Sequence, residues 1–502
     1  MGTIQQQSIR NAAVSYGGVA IGFFSTLFIY KLDRELYGFA QFIFASASFL
    51  IPFCTLGITG LVVKFFPVMI QEGTSAPAFL NILLKLLLGT FTTFLIIFFI
   101  AGDQIFSLMR LLGLDKNGIL QENWVYFLPL ALLMGVSSVL IAQSANMRRI
   151  VVPELLSSFA YKICLPILIL LGYHGYLSKG QVALGQNVFY LFVVTAMFIY
   201  LARIGGLGTE SGSVRAIARP VRKDMQAFAS FNMVTNVGST FLFRIDVILL
   251  SLLLDFGSTG TYVIMVFLAN SINIPRRALS KITAPFISKA WNDKDYGKIE
   301  ELYQRSSVIL LIVGIALFLM IWSSLHDLDK LSPGDKMFYQ HRWVFLFLGL
   351  SKLLDLSMSL TTEIIMYSKK YPYILTFLVI MGSVAFGLNY WLIPSFGITG
   401  AAVAVSISYS LFNILKTILV YSSFGMIPFG KKTWILTGVA ILLFTVLSWL
   451  GIDGFHPILN LFLKAVVVFF GFLVPVYLFN ISDDYNRIVN ALIHKIRLKF
   501  TT

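Results

Sequence analysis

Apolar runs of bilayer-spanning length recur about fourteen times between Asn11 and Asn480, with only short polar joints between them. A helix rises ~1.5 Å per residue, so about 20 apolar residues cross ~30 Å of hydrocarbon. No water there satisfies an exposed backbone, so each run must be helical. The pattern predicts an all-α polytopic membrane protein. A chain of 502 residues that is 57% hydrophobic and 12% charged could not hide this much apolar surface in one water-soluble core.

The spans read as about 11–30, 39–63, 78–101, 123–145, 153–172, 182–203, 227–254, 260–285, 306–325, 341–366, 373–393, 400–421, 433–450 and 458–480. The net charge of +15 falls mostly in alternate short loops, so membrane orientation explains it and nucleic acid is not needed as a partner. Roughly 21 Lys and Arg lie on the side of the N-terminus against roughly 8 opposite. The first group includes Arg215, Arg219, Arg222 and Lys223, then Lys289, Lys294 and Lys298, then Lys495, Arg497 and Lys499. Positive-inside bias places both termini in the cytoplasm, which requires an even number of spans; fourteen satisfies that, as would twelve.

The polar segment Met1 to Arg10 precedes an apolar run without an A-x-A-like cleavage site, so the first span is expected to stay. Cys54 and Cys164 fall inside spans, and His174, His326, His341, His456 and His494 sit singly, so neither a disulfide framework nor a metal centre is indicated. The longest joints, near Gly102 to Asn123 and Gly205 to Gln226, can cap helices but cannot build a catalytic domain. No phosphate-cradling glycine loop with a Walker lysine is present. A secondary transporter, with no enzymatic activity and no cofactor beyond a coupling proton or sodium ion, is the default that remains.

An internal duplication is hinted at, as transporters built from two lobes often show. Tyr37-Gly38, an apolar run, Pro52 and Pro67 are echoed by Gly260-Thr261-Tyr262, an apolar run, Pro275 and Pro285. Polar residues inside spans are costly and need a partner, a wet cavity or a route to the interface. Asn232, Asn236, Ser239 and Asp246 keep to one helical face in span seven; Asn270, Asn273, Arg277 and Lys281 do so in span eight. Lys352, Asp355, Ser359 and Glu363 make a stripe in span ten, and Ser406, Asn413 and Thr417 a weaker one in span twelve.

A bland reading stands beside this: Ser and Asn also glue helices together, Lys352 and Asp355 at i, i+3 can neutralise each other, and Lys85, Lys281, Lys416 and Lys464 lie near enough to the interface to snorkel. Arg244 and Asp246 lie on different faces of their helix and need not pair. If the stripes share a cavity, its basic members, Arg244, Arg276, Arg277, Lys281, Lys352 and Lys162, outnumber Asp246, Asp355 and Glu363. Such a lumen attracts an anion. Guanidinium forks and lysine charge suit a diphosphate, and Asn232, Asn236, Asn270, Asn273, Ser359 and Asn413 are candidates to contact sugar hydroxyls. The three carboxylates are the candidates for ion coupling.

The stretch Phe243-Arg244-Ile245-Asp246-Val247-Ile248-Leu249-Leu250 with Gly260-Thr261-Tyr262 resembles the R-x-D motif and G-x-Y turn of Wzx-type polysaccharide flippases, in the multidrug/oligosaccharidyl-lipid/polysaccharide exporter superfamily. Leu36-Tyr37-Gly38, Lys64-Phe65-Phe66-Pro67, Ala284-Pro285 before Lys294 to Tyr303, Pro394-Ser395-Phe396-Gly397-Ile398-Thr399-Gly400-Ala401-Ala402 and the opening Gly2-Thr3-Ile4-Gln5 extend the resemblance over essentially the whole chain. Each motif is short; their order carries the likeness.

The resemblance implies two six-helix lobes in a V, residues 1–226 and 227–430, followed by two additional helices in 431–480 and a basic cytoplasmic tail, 481–502. It implies translocation of an undecaprenyl-diphosphate-linked oligosaccharide, a repeat unit of O-antigen (and so of lipopolysaccharide), capsule or exopolysaccharide, from the cytoplasmic to the outer leaflet of the bacterial inner membrane by alternating access. By analogy with the related lipid II flippase, the two additional spans would form a groove for the lipid tail. A polysaccharide polymerase and a chain-length regulator are the implied protein partners. The alternatives are a cation-coupled multidrug or metabolite exporter of the same superfamily, usually of twelve spans, and a non-transporting scaffold.

Overall fold

The computed structural model describes residues 17–115, 117–208, 219–332, 336–449 and 455–500. Gly2-Thr3-Ile4-Gln5 and Arg215 lie outside them, as do the side chains of Lys281, Lys495, Arg497 and Lys499. Every regular element among the described residues is helical. In chain order these are α1 Gly17–Ile29, α2 Arg34–Thr55, α3 Ile58–Gln71, α4 Ala76–Leu111, α5 Ile119–Asn146, α6 Val151–Tyr173, α7 Lys179–Arg203, α8 Arg219–Leu253 and α9 Phe256–Ser271. They continue as α10 Ile274–Asn292, α11 Tyr296–Leu331, α12 Arg342–Ser357, α13 Thr361–Tyr367, α14 Pro372–Phe424, α15 Lys431–Trp449, α16 Pro457–Leu478 and α17 Asp483–Phe500.

Among the described residues, ten single helices are long and apolar enough to cross a membrane, or 11 when the bent pair α12 and α13 counts as one span. The fourteen runs map onto these according to where the chain breaks and where it does not. Of the first run only the part from Gly17, α1, lies among the described residues, and the eighth run is interrupted between α9 and α10. The runs at 373–393 and 400–421 are joined in the 53-residue α14, where Gly397, at φ 58° and ψ −140°, makes a break that a side chain would oppose. Conversely, α4 and α11, at 36 residues each, continue past the charges at which hydropathy cuts the runs.

Local chemistry sets the helix starts. Asp33 accepts the Leu36 amide at 2.9 Å to cap α2, Asp295 caps α11, and Ser178 with Gln181 forms a reciprocal box at α7. Asp115, fully buried, takes the Ile119 and Leu120 amides at 2.7 and 3.1 Å ahead of α5.

The chain forms two compact units, one of Met1–Val263 with Gly382–Ile398, the other of Ile264–Met381 with Thr399–Thr502. In the first, α2 runs against α8 and α5, and α5 against α7. From Leu36 to Thr55 no residue of α2 is fully exposed, so this helix is a central post. At its start α2 crosses the start of α9 with backbones almost touching. A Cβ on Gly38 would stand 1.8 Å from the Phe256 carbonyl oxygen, and one on Gly260 would stand 2.0 Å from that of Arg34. Only glycine fits at either point. The two echoed motifs of the sequence therefore dock on each other.

In the second unit α11 is central, packed by α10, α12, α15 and α16. A buried ion pair pins α16 to it: Lys464 Nζ lies 2.5 Å from Asp327 Oδ2, and the Asn460 amide donates to Asp327 Oδ1 at 3.0 Å. Snorkelling does not describe Lys464, nor Lys416, which is buried and donates to Thr362 Oγ1 at 3.0 Å. Both ammonium groups have polar partners inside the fold, which spares them the route to the interface. Lys85 is exposed, as snorkelling requires.

Candidate functional site

In the second unit two interrupted helices bring their ends together. The first breaks at Ile272 and Asn273, between α9 and α10, with Pro275 in the opening turn of α10. The second breaks at Met358 to Leu360, between α12 and α13, whose axes differ by 48°. Helix breaks free backbone groups that must be satisfied within the protein, and such breaks at membrane depth accompany binding sites in transporters. Arg276 does so here, donating from Nε to the Ser359 carbonyl at 3.2 Å.

The same guanidinium holds Asp355 through Nη1 at 2.6 Å, and Asp355 Oδ2 also receives the Asn273 amide at 2.9 Å and the Tyr409 hydroxyl at 2.9 Å. Asp355 is buried, with three donors converging on Oδ2. Its i, i+3 neighbour Lys352 sits with Nζ over the Tyr409 ring, 4.3 Å from the centroid. Asn413 is buried one turn beyond Tyr409. A turn along α13, Glu363 accepts from Ser280 through Oε1, while its buried Oε2 has no hydrogen-bond partner among the described residues. Lys416 stands beside Thr362, with its Nζ 4.3 Å from the Phe412 ring centroid. The Ser359 hydroxyl and the Asn273 carbonyl oxygen are buried without partners as well.

The sequence stripes thus resolve into distinct contacts. Arg276 and Asp355, from different helices, neutralise each other. Arg277, the next residue, is exposed; Asn270 is half-buried; the Lys281 side chain lies outside the described residues.

In the first unit, α8 carries the second constellation. Asn232 donates its amide to the Gly57 carbonyl at 2.9 Å, tying α8 to the turn between α2 and α3. Asn236 is half-buried, its backbone carbonyl taking the Ser239 and Thr240 hydroxyls. Asp246 is buried and takes the Tyr262 hydroxyl at 2.6 Å on Oδ2, leaving Oδ1 without a partner. Tyr262 is the last residue of the G-x-Y turn, so the motif itself supplies the partner that the R-x-D carboxylate needs. Arg244 is half-buried, with its guanidinium carbon 5.5 Å from the Phe44 ring centroid and no carboxylate of the described residues in ion-pair range. Lys162 is half-buried against α1, its Nζ 3.1 Å from where a Cβ on Gly18 would stand.

Sequence reasoning named Tyr262 only as part of the G-x-Y turn, not as a carboxylate's partner, and did not consider Tyr409, Phe44 or Tyr161. It also missed Asp327, placed in a joint rather than in a helix. The tyrosines were detectable from one cue: each buried carboxylate needs donors, and tyrosine is the donor that an apolar helix can carry at small cost.

No family model and no curated protein sequence matches the chain. Solved structures do. "Lipid II flippase MurJ, inward closed conformation" aligns with TM-score 0.71 at 13% identity, over 93% of this chain and 99% of that one. An inward-facing multidrug resistance MATE family transporter of the MOP superfamily gives 0.57 at 13% identity, over 86% and 96%. A mutant of the Vibrio cholerae MATE transporter VcmN gives 0.53 at 11%, over 84% and 98%. The chain shares its fold with these three structures over 84–93% of its length.

Proposed function

We propose that this protein is a flippase that carries an undecaprenyl-diphosphate-linked oligosaccharide from the cytoplasmic to the outer leaflet, without enzymatic chemistry. The observation that carries the reading is Arg244. A guanidinium inside the apolar part of a membrane protein is costly and ordinarily faces a carboxylate. Arg244 has none in range among the described residues, although Asp246 lies two positions away and is taken by Tyr262 instead. An anionic substrate group is the counter-charge that fits, and a diphosphate matches the forked donors. Lys162, of the same unit, is a further cation proposed to receive it; Arg277, Lys281 and Lys352 are proposed anion contacts of the second unit, where Arg276 is held by Asp355 and orients the broken helices.

For coupling, Asp246 and Glu363 are the carboxylates favoured. Asp355 takes three donors on Oδ2, whereas Asp246 holds a tyrosine and Glu363 a serine, each on one oxygen, with its other, buried oxygen unpaired among the described residues. A proton or sodium ion on such an oxygen would bias the return of the empty carrier. The fold shared with MurJ supports a lipid-linked substrate, and the fold shared with MATE transporters keeps a drug exporter as the competing outcome.

The test is the double variant Arg244→Ala, Arg277→Ala, expressed in place of the native chain. The expected result is loss of export with lipid-linked oligosaccharide held on the cytoplasmic leaflet and normal membrane insertion. Full export would remove the basic site from the account.

A further inference from the structure

Arg244 borders a cluster of aromatic rings that the anion-binding reading does not use. Phe44 of α2 stacks on Tyr161 of α6, with centroids 5.3 Å apart and planes at 27°. Tyr161 in turn meets Phe189 at 5.6 Å and Tyr190 at 5.9 Å, both on α7. The back of the cluster, Phe189 and Tyr190, is buried, while Phe44, Tyr161 and Arg244 remain half-accessible.

That remaining access is not toward lipid. On α6 the exposed residues Leu155, Ile163, Ile167 and Leu171 mark the outer face, and Tyr161 falls with buried Leu165 and Ile169 on the opposite one. On α2, which has no exposed residue from Leu36 onward, Gln41, Phe44, Ser48 and Ile51 form one half-buried stripe at helical spacing. A π turn at Leu155–Phe159 ends two residues before Tyr161 in α6, a local irregularity often found at functional sites. The Tyr161 hydroxyl is buried and has no hydrogen-bond partner among the described residues, which in a packing cluster is an uncompensated cost.

We infer that Phe44 and Tyr161, with Arg244 at their edge, form a sugar-ring subsite for the pyranose nearest the anionic group of the substrate. The inference rests on the flippase reading. A pyranose offers a flat face of C–H bonds, which suits the electron-rich face of an aromatic ring, and hydroxyls for the Tyr161 oxygen. Arg244 supplies donors to the adjoining phosphate or to a sugar carboxylate. A lipophilic cation fits the same rings but meets Arg244 and no described carboxylate in ion-pair range of it.

The experiment measures binding to the full chain in nanodiscs of two probes, undecaprenyl diphosphate and undecaprenyl-diphosphate-N-acetylglucosamine. The unaltered protein should bind the sugar-bearing lipid more tightly. Phe44→Leu should weaken that lipid by about 3- to 10-fold and leave the bare diphosphate unchanged. Tyr161→Phe, which keeps the ring and is expected to fold, should weaken it by roughly 2- to 10-fold, again selectively. Arg244→Gln should weaken both probes. Equal losses for both probes in Phe44→Leu, no loss in Tyr161→Phe, or equal binding of the two probes by the unaltered protein would each overturn the sugar subsite. An Arg244→Gln variant that binds bare diphosphate normally would instead remove the anion-binding reading.

Discussion

The pair Asp327 and Lys464 makes a quantitative prediction, because both side chains are almost wholly withdrawn from solvent. Their side chains are 0% and 6% exposed, the contact is 2.5 Å, and Asn460 supplies Asp327 with its other polar partner. Removing one member of such a pair leaves an uncompensated buried charge, which costs about 3–5 kcal/mol, of the same order as the ~2.5–3.5 kcal/mol for a charge at the centre of an inserted helix. Lys464→Met keeps the volume and removes the ammonium. At ~2–4 °C per kcal/mol for a unit of this size, the thermal midpoint of the purified protein should fall by roughly 6–20 °C. Asp327→Leu alone should do similar damage. The double variant should return to within about 1 kcal/mol of the starting stability, since apolar replacement of a whole buried pair is often neutral or stabilising. Thermal unfolding of the four proteins closes the cycle. Additive losses in the double variant would show instead that the two groups do not act on each other and that α16 is held by packing alone.

Other perturbations follow from single contacts. Asp355→Ala strips the shared acceptor from Arg276, Asn273 and Tyr409 and should cost about 3–5 kcal/mol, measured by thermal unfolding, together with loss of export. Glu363→Gln should leave stability nearly unchanged and cut export by about tenfold, read as accumulation of the lipid-linked intermediate. Gly38→Ala would place a Cβ 1.8 Å from the Phe256 carbonyl, so α2 and α9 must part by over ~1 Å, and a cysteine at Thr261 should react faster with an impermeant maleimide. Lys179→Ala breaks an exposed ion pair with Glu35 and should shift stability by no more than about 0.5 kcal/mol in the same unfolding assay.

Much of the helical scaffold was legible in the sequence, because a backbone in hydrocarbon has few choices and apolar length declares them. That Arg244 and Asp246 need not pair was legible too. The break before α10 had a marker in Pro275, whereas the break at Met358 to Leu360 contains neither Pro nor Gly and follows from how Arg276 and Asp355 meet across helices. Asp327 was hidden because a hydropathy window stops at charge while α11 continues through it. Its partner lies 137 residues away, a separation about which periodicity says nothing. Lys416 and Lys464 misled for the same reason: distance to the interface is readable along one helix, but a partner on another is not. The echoed motifs at Gly38 and Gly260 indicated duplication, and their docking on each other became visible only in three dimensions.

Whether the anion met by Arg244 belongs to a lipid-linked sugar can be measured in the host itself. The protein is removed, undecaprenyl-diphosphate oligosaccharide on each leaflet is quantified by mass spectrometry, and sensitivity to cationic drugs is recorded in the same cells. A flippase leaves oligosaccharide trapped on the cytoplasmic leaflet with drug sensitivity unchanged, and that is the expected result. Unchanged lipid intermediates with raised drug sensitivity would overturn the flippase reading and assign the chain to export of cations.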